Sequence, residues 1–300
     1  MAVNHAVCPN ESVGNGLPCG AGGTVSASDV PAYAMKIPAD SLQGRVALVT
    51  GGGSGLGRAS ALLLAQGGAR VGVLDFNAKA AAGVVEEMIA AGGEGVALTA
   101  DVSEVAQVAA AVEKLDQTWG RLDIVAANAG INGLWAPLED ITPEEWDLTL
   151  NTNLKGTFLT VRACLPLLKR NDRGSIIITA SGTGTRIFSA TGATAYATSK
   201  AGQMAFARML ALELAPHRIR VNTVCPGSIE TPLNHCPRTK NMEKLRQPLG
   251  FPEGSVPLTK GLNGKPEQVA RLVWFLASDL SDHITGTEIY IDGAQSLLMG

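Results

Sequence analysis

Tyr196 and Lys200 stand four residues apart in a stretch of helical period, so a phenol and an ammonium share one helix face a turn apart. An unperturbed phenol, with a pKa near ~10, is a poor base at neutral pH. A cation one turn away is expected to stabilise the phenolate and lower that value. Such a pair suits proton exchange with a reacting oxygen. A second signature is Thr50-Gly51-Gly52-Gly53-Ser54-Gly55-Leu56-Gly57, which follows an apolar run and opens into an Ala/Leu-rich segment. Glycines let the backbone turn tightly and approach a pyrophosphate, whose charge then meets free N–H groups at a helix N-terminus. The literal G-x-G-x-x-G pattern is absent, the spacing being Gly51-x3-Gly55-x-Gly57, and the Gly-Lys-Ser/Thr ending of a P-loop is missing. A glycine-rich turn with no ligand is the competing reading.

Asp75 closes the next apolar run, eighteen residues beyond Gly57. A carboxylate there can accept both ribose hydroxyls of NAD and repels the 2′-phosphate of NADP. No Arg or Lys occupies 51–57 or 76–78 to welcome that phosphate, although Arg58 is close by. An ordinary loop Asp is the alternative. Asp101-Val102 follows the third run, where an edge residue could hydrogen-bond an adenine.

These residues need elements to position them. Short apolar runs at Val46–Thr50, Val71–Leu74, Val96–Thr99, Ile124–Ala126, Ser175–Thr179, Ile219–Val224 and Glu288–Ile291 read as strands. Helical periods fill Gly57–Gln66, Ala78–Ala91, Ser103–Trp119, Trp146–Lys169, Tyr196–Leu214 and Pro266–Ser278. Strands apolar at nearly every position are buried on both faces, hence a parallel sheet between helices. Uninterrupted strand–helix alternation predicts an α/β class, a single Rossmann-like doubly wound domain over residues 41–300. Residues 230–265 break the rhythm with repeated prolines and read as a substrate loop.

The ordered set Thr50-Gly51-x3-Gly55-x-Gly57, Asn128-Ala129-Gly130, Asn151-Thr152-Asn153, Ser181, Tyr196-x3-Lys200 and Pro226-Gly227 resembles the short-chain dehydrogenase/reductase family over roughly residues 42–295. The resemblance implies hydride transfer between a nicotinamide coenzyme and a secondary alcohol or ketone, with Tyr196 as acid/base. It implies that Lys200 also bonds the nicotinamide ribose and that Ser181 holds and polarises the substrate oxygen. Asn153 would organise a water chain from the lysine to solvent. The coenzyme contacts it implies are Gly51, Gly53, Ser54, Gly55, Leu56, Gly57, Asp75, Asp101, Val102, Asn128, Ala129, Gly130, Tyr196, Lys200, Pro226, Gly227, Ile229 and Thr231. Two departures stand out. Ser181 lies fifteen residues before the tyrosine where many members have thirteen, so Thr183 competes for its register, and Ser181 is preferred because it directly follows the run Ser175–Thr179 as the family's serine does. Ala127 replaces a frequent first asparagine.

Composition narrows the rest. In 300 residues, 46% hydrophobic and with a net charge of −3, no apolar run reaches the roughly 18 residues of a membrane span. The mild acidity argues against a nucleic-acid partner. Five scattered cysteines fit a reducing compartment, hence the cytoplasm. Residues 1–40 are Gly/Ala/Ser/Pro-rich, lack secretory or transit-peptide features and read as a flexible tail or an arm on a partner subunit. His5, His217, His235 and His283 are dispersed, so no metal is expected, His235-Cys236 with Cys225 included. Trp135, Phe188 and Phe251 are read equally as pocket lining or packing. Lys240, Lys244 and Arg246 would greet an anionic substrate or form a solvated face, the second being preferred. The primary reading is an NAD(H)-dependent enzyme, a homotetramer by resemblance. Its alternatives are an NADP(H)-dependent carbonyl or 3-oxoacyl reductase, and a non-catalytic NAD-binding sensor free to lose the proton-transfer set.

Overall fold

The computed structural model describes residues 38, 40–235, 238–245 and 254–299. The chain divides into Met1–Lys36 and Ile37–Gly300, and only the second unit is described below. The expected tail therefore lies almost wholly outside the described residues, as do Arg246 and Phe251.

Nine strands occur among the described residues: β1 (Val46–Thr50), β2 (Arg70–Asp75), β3 (Glu94–Thr99), β4 (Ile124–Ala127), β5 (Leu134–Trp135), β6 (Gly174–Thr179), β7 (Ile219–Pro226), β8 (Arg238–Thr239) and β9 (Glu288–Ile291). Seven form one sheet in the order β3-β2-β1-β4-β6-β7-β9, and every pairing in it is parallel. The helices are α1 (Gly55–Gln66), α2 (Ala78–Ala90), α3 (Val105–Trp119), α4 (Pro143–Leu150), α5 (Gly156–Arg170), α6 (Thr194–Leu214), α7 (Pro232–His235), α8 (Pro266–Ala277) and α9 (Gln295–Met299).

Each central strand is buried on both faces, and alternate residues feed two cores. Leu48, Val125, Ile176 and Val221 pack with α3, α5 and α6 through Leu115, Cys164 and Leu210. Val49, Val73, Ile177 and Val224 pack with α1, α2 and α8 through Leu64, Met88 and Trp274. Strand chemistry of this kind leaves function to the C-terminal edge, where turns and helix starts meet.

The sequence reads Trp146–Lys169 as one helix, and here the structure differs. Thr142 caps α4 in a reciprocal box with Glu145, and Pro143 opens the helix. Residues Asn151–Lys155 then form a π-helical turn before α5 begins. A π-turn inserts one extra residue into the helical ladder, so it re-aims the side chains around it. A 3.6-residue hydrophobic period cannot report such an insertion. The irregular reading of 230–265 holds for its described residues, which carry only α7, the two-residue strand β8 and short 3-10 turns.

Asp123, without a role in the sequence reading, ties the centre of the sheet. Its carboxylate accepts the Val46 N–H at 2.9 Å and a two-pronged grip from Arg121 at 2.7–3.0 Å, while it is 4% exposed. Asp123→Ala strands a buried N–H at the start of β1. Urea denaturation is expected to show a loss of about 1–3 kcal/mol with an unchanged denaturant slope; a neutral result would contradict this account.

Candidate active site

The turn between β1 and α1 is shaped by contacts that exclude side chains. Gly51 and Gly55 take φ of 62° and 50°, the left-handed region that favours glycine. A Cβ on Gly57 would lie 2.0 Å from the Gly51 carbonyl oxygen, so α1 can start here only with glycine. Ser54 is the N-cap position, and the first N–H groups of α1 follow it. Asp75, at the end of β2, faces this turn. Its Oδ2 accepts the Gly53 N–H and its Oδ1 the Asn77 N–H, both at 2.9 Å. Two backbone donors thus fix the carboxylate before any ligand arrives. Arg58, the nearby cation, is engaged elsewhere, its guanidinium bonding both oxygens of Glu87 at 2.6–2.7 Å.

Asn128 closes the turn from the β4 side. Its N–H and that of Ala129 donate to Thr50 Oγ1 at 3.1 Å, and its Nδ2 reaches the Thr50 carbonyl at 3.2 Å. Ala127 is buried at the end of β4 and leaves this tie intact. Asp101 is exposed and holds Ser103, while Val102 is buried against Gly156. Beyond β7, Gly227 is crowded by Asp292 and Gln295, Ile229 bridges to Gly264, and Thr231 comes back against Gly55. The segment Pro226–Thr231 therefore joins the end of β7 to the glycine turn.

The second half of the site is buried between β6, α5 and α6. Ser181 Oγ accepts the Thr183 N–H at 3.1 Å and lies near enough to the Tyr196 phenol to act on its pKa. Ser181 rather than Thr183 thus meets the tyrosine, because it follows β6 by only one intervening residue, Ala180. Lys200, 4% exposed, donates from Nζ to the Thr179 carbonyl at 2.7 Å. Its amino group lies 5.7 Å from the centre of the Tyr196 ring. A Cβ on Gly130 would sit 3.1 Å from Asn153 Oδ1 and 3.6 Å from Lys200 Nζ, which explains the glycine of Asn-Ala-Gly.

The π-turn presents Asn153 to this centre, fully buried. Its Oδ1 accepts the Ile131 N–H at 2.8 Å, and its Nδ2 donates to the Ile131 carbonyl at 2.9 Å and to Ser199 Oγ at 3.0 Å. Its main-chain oxygen accepts from Thr157 Oγ1 at 2.7 Å and Gln203 Nε2 at 2.9 Å. Both amide protons and that carbonyl are engaged within the protein. Ser199, Gln203 and Thr157 were not singled out from sequence. The signal was present: Ser199 and Gln203 each lie three residues beyond Tyr196 and Lys200, on the same side of α6, and Thr157 is four beyond Asn153.

A lowering of the Tyr196 pKa is expected from Lys200 together with the charge of an oxidised nicotinamide, and Lys200 alone does not produce it. Burial pushes the phenol up, and the Ser181 hydrogen bond recovers only part. Lys200 donates its hydrogen bond to the Thr179 carbonyl and not to the phenol, and burial lowers its own pKa from 10.5 to about 8. Of the other residues weighed from sequence, Phe188 lines a pocket of about 430 Å3 next to Tyr196, and Trp135 does not. Lys240 and Lys244 are both bonded to Asp140. Among the described residues no group of three or more His, Cys, Asp and Glu is placed to hold a metal ion, and no helix is long and apolar enough to cross a membrane.

Because the folded Lys200 value of about 8 lies below 10.5, the unfolded chain binds more protons between those limits and stability rises with pH there. Below that window the full cost of burying the cation is present. Lys200→Met removes it, so the variant is expected to melt above wild type at pH 7. That gap should close as the pH climbs from about 8 to 10.5. A lower melting point at pH 7 would overturn the assignment.

Comparison with known proteins places this geometry. The sequence family described as Enoyl-(Acyl carrier protein) reductase matches residues 51–294. The chain is 37% identical over 259 residues to cyclohexanol dehydrogenase of Acinetobacter sp. (strain SE19), covering 86% of this chain and 98% of that protein. The crystal structure of a 3-ketoacyl-ACP reductase from Sinorhizobium meliloti 1021 is similar with a TM-score of 0.83 and 49% identity, over 84% of this chain and 99% of that one. A 3-ketoacyl-(acyl-carrier-protein) reductase from Brucella melitensis, complexed with NADH, is similar with a TM-score of 0.75 and 33% identity, over 85% and 99%. With a parallel doubly wound sheet and these relatives, the chain belongs to the short-chain dehydrogenase/reductase family, oxidoreductases acting on CH–OH and C=O groups.

Proposed function

We propose that this chain interconverts a secondary alcohol and a ketone, with NAD(H) as coenzyme and Tyr196 exchanging the proton. The observation that carries the reading is the half-buried phenol of Tyr196 between buried Ser181 and Lys200, beside Asn153. A binding protein without chemistry has no use for a phenol bonded to a serine hydroxyl above a buried amine.

The coenzyme reading rests on the fit of the turn. The cradle of Gly51, Gly53, Gly55 and Gly57 excludes side chains, and the N-terminus of α1, with Ser54 and Leu56, offers N–H groups to a pyrophosphate. Asp75 would take the adenosine ribose, with Asp101 and Val102 near the adenine. Asn128, Ala129 and Gly130 would border the nicotinamide half, with Pro226, Gly227, Ile229 and Thr231 on its other side. NAD rather than NADP is favoured because Asp75 is fixed facing the turn and Arg58 is held by Glu87. When bound, the nicotinamide supplies or accepts the hydride.

The chain's own residues then handle the oxygen. Ser181 holds it by hydrogen bond beside the phenol. In alcohol oxidation, Tyr196 takes the hydroxyl proton; in reduction it returns one. The raised phenol means that proton release waits for positive charge to enter the site, after which Lys200 and Ser181 share in stabilising the phenolate. Asn153 acts as a positioning residue, keeping Ile131 and Ser199 in place around the lysine. A 3-oxoacyl or other carbonyl reductase is the second reading, favoured by the name and 49% identity of the Sinorhizobium meliloti structure.

Residues 41–300 would form the enzyme domain and 1–40 a tail that it does not need, in a cytoplasmic protein. A homotetramer is supported by apolar side chains left exposed on α5 and α6, namely Phe158, Met209 and Leu212.

Tyr196→Phe keeps the ring and the coenzyme contacts but removes the proton. Turnover is expected to fall by about 10²–10⁴-fold, with NADH binding, followed by fluorescence, near wild type. Near-normal turnover with any substrate would sink the mechanism. Asp75→Ala is expected to narrow the preference for NAD, chiefly by lowering the KM for NADP, measured with both coenzymes. A wild type that prefers NADP contradicts that assignment.

A further inference from the structure

Four polar side chains form one stripe along α6. Tyr196, Ser199, Lys200 and Gln203 stand at i, i+3, i+4 and i+7, a spacing that puts them on one side of a helix. Further along, the same stripe turns apolar, with Ala207, Leu210, Ala211 and Leu214 packed in the core. Lys200 is held by the Thr179 carbonyl. Ser199 and Gln203 are both 0% exposed, and a buried polar group is costly unless it is bonded. Both turn to the same residue, Asn153.

Ser199 Oγ accepts from Asn153 Nδ2 at 3.0 Å and donates to the Tyr196 main-chain carbonyl at 2.7 Å. Gln203 Nε2 donates to the Asn153 main-chain carbonyl at 2.9 Å and to Thr157 Oγ1 at 2.7 Å. Asn153 is therefore gripped by α6 at two points about a turn apart, its side chain by Ser199 and its main chain by Gln203. The elements approach closely between those points: a Cβ on Gly202 would lie 2.9 Å from Leu154 Cδ2. Gln203 has one workable orientation, because the Asn153 carbonyl can only accept and the reversed amide would set two carbonyl oxygens together. Its Oε1 then meets no protein donor among the described residues. Thr157 Oγ1 already donates to the Asn153 carbonyl at 2.7 Å. An apolar residue at 203 would spare the fold an unpaired buried acceptor, so stability alone does not account for the amide.

We propose that Gln203 is a positioning residue for proton transfer, fixing α6 against the π-turn so that the Tyr196 phenol and the Lys200 amine keep their directions in the site. The inference rests on the oxidoreductase reading above and deepens it. A single hydrogen bond leaves a helix free to roll about it, whereas two bonds a turn apart to one residue set both its roll and its height. Ser199 supplies the first bond and Gln203 the second. Tyr196 begins the same stripe, so a roll of α6 moves the phenol oxygen relative to Ser181, which sits on another element. A misplacement of about 1 Å costs on the order of 10²-fold in rate. Gln203, fully buried, acts only through Asn153 and the helix.

Steady-state NADH oxidation with cyclohexanone and with acetoacetyl-CoA, beside NADH binding followed by fluorescence, tests this in Gln203→Met, Asn153→Ala and the double variant. Gln203→Met keeps the length and bulk of the side chain but loses the donor. On the better of the two ketones its kcat is expected to fall by about 10–100-fold, with the Kd for NADH within about twofold of wild type. In the Asn153→Ala background the same change should cost no more than about threefold further, since the two residues act as one unit. A merely structural amide would instead lower the melting point, leave kcat unchanged well below it, and add its cost in full. Thr157→Val removes the hydroxyl that Gln203 and the Asn153 carbonyl share; it should lower kcat likewise and carries the test if Gln203→Met folds poorly. A kcat within about twofold of wild type in Gln203→Met, or full additivity with Asn153→Ala, overturns the proposal and leaves the oxidoreductase reading standing. Normal NADH binding by wild type with no turnover of these or any other carbonyl compounds removes that reading, and the proposal with it.

Discussion

Lys200 donates a 2.7 Å hydrogen bond to the carbonyl of Thr179 in a place where burial works against its charge. Much of the surrounding structure follows from keeping that amine there. The carbonyl is offered by the last residue of β6, so the lysine must come from the helix after it, α6. Gly130 leaves room beside the lysine, since a Cβ there would sit 3.1 Å from Asn153 Oδ1 and in ordinary contact with the amine. Asn153 in turn can reach Ile131 and Ser199 only from the π-turn between α4 and α5. An insertion into a helix is an irregularity that packing has to support, and here Gln203 and Thr157 hold the carbonyl of the inserted turn.

The two halves of the site solve different electrostatic problems. At the glycine turn the donors are backbone N–H groups, fixed in direction and without charge to desolvate, and Asp75 is tethered by two of them. Around Lys200, side chains bond one another and main-chain groups in low dielectric, where each unpaired group is costly. The segment after β7 and the β4 end join the halves, so that Thr50, Asn128 and Gly130 belong to one continuous ridge of backbone.

Much of this was legible in the amino-acid order. Fully apolar runs announced two-sided burial, and the alternation with helices announced a parallel sheet. The glycine spacing, Asp75 and the Tyr196–Lys200 interval lie where local rules operate. Three features escaped those rules. The π-turn shares its composition with ordinary helix, so periodicity ran through it. The upward push on Tyr196 comes from surroundings assembled from three distant elements. Asp123 and Asp140 look like surface carboxylates until the chain brings Val46 to one and Lys244 to the other. For Ser181 the spacing to Tyr196 left Thr183 open, and its place directly after the run Ser175–Thr179 was the signal that favoured it.

The position of β1 in the sheet also bears on how the chain is made. It lies between β2 and β4, and its N–H at Val46 is met by a carboxylate 77 residues later. During synthesis the central strand is complete long before its second neighbour emerges. Until then one edge of an almost wholly apolar strand stays open, the arrangement that invites pairing with other chains. Contacts of such sequence separation also slow folding, because loop closure precedes the reward of pairing. In the first αβ units that open edge persists until residue 127 has been made and β4 can close it.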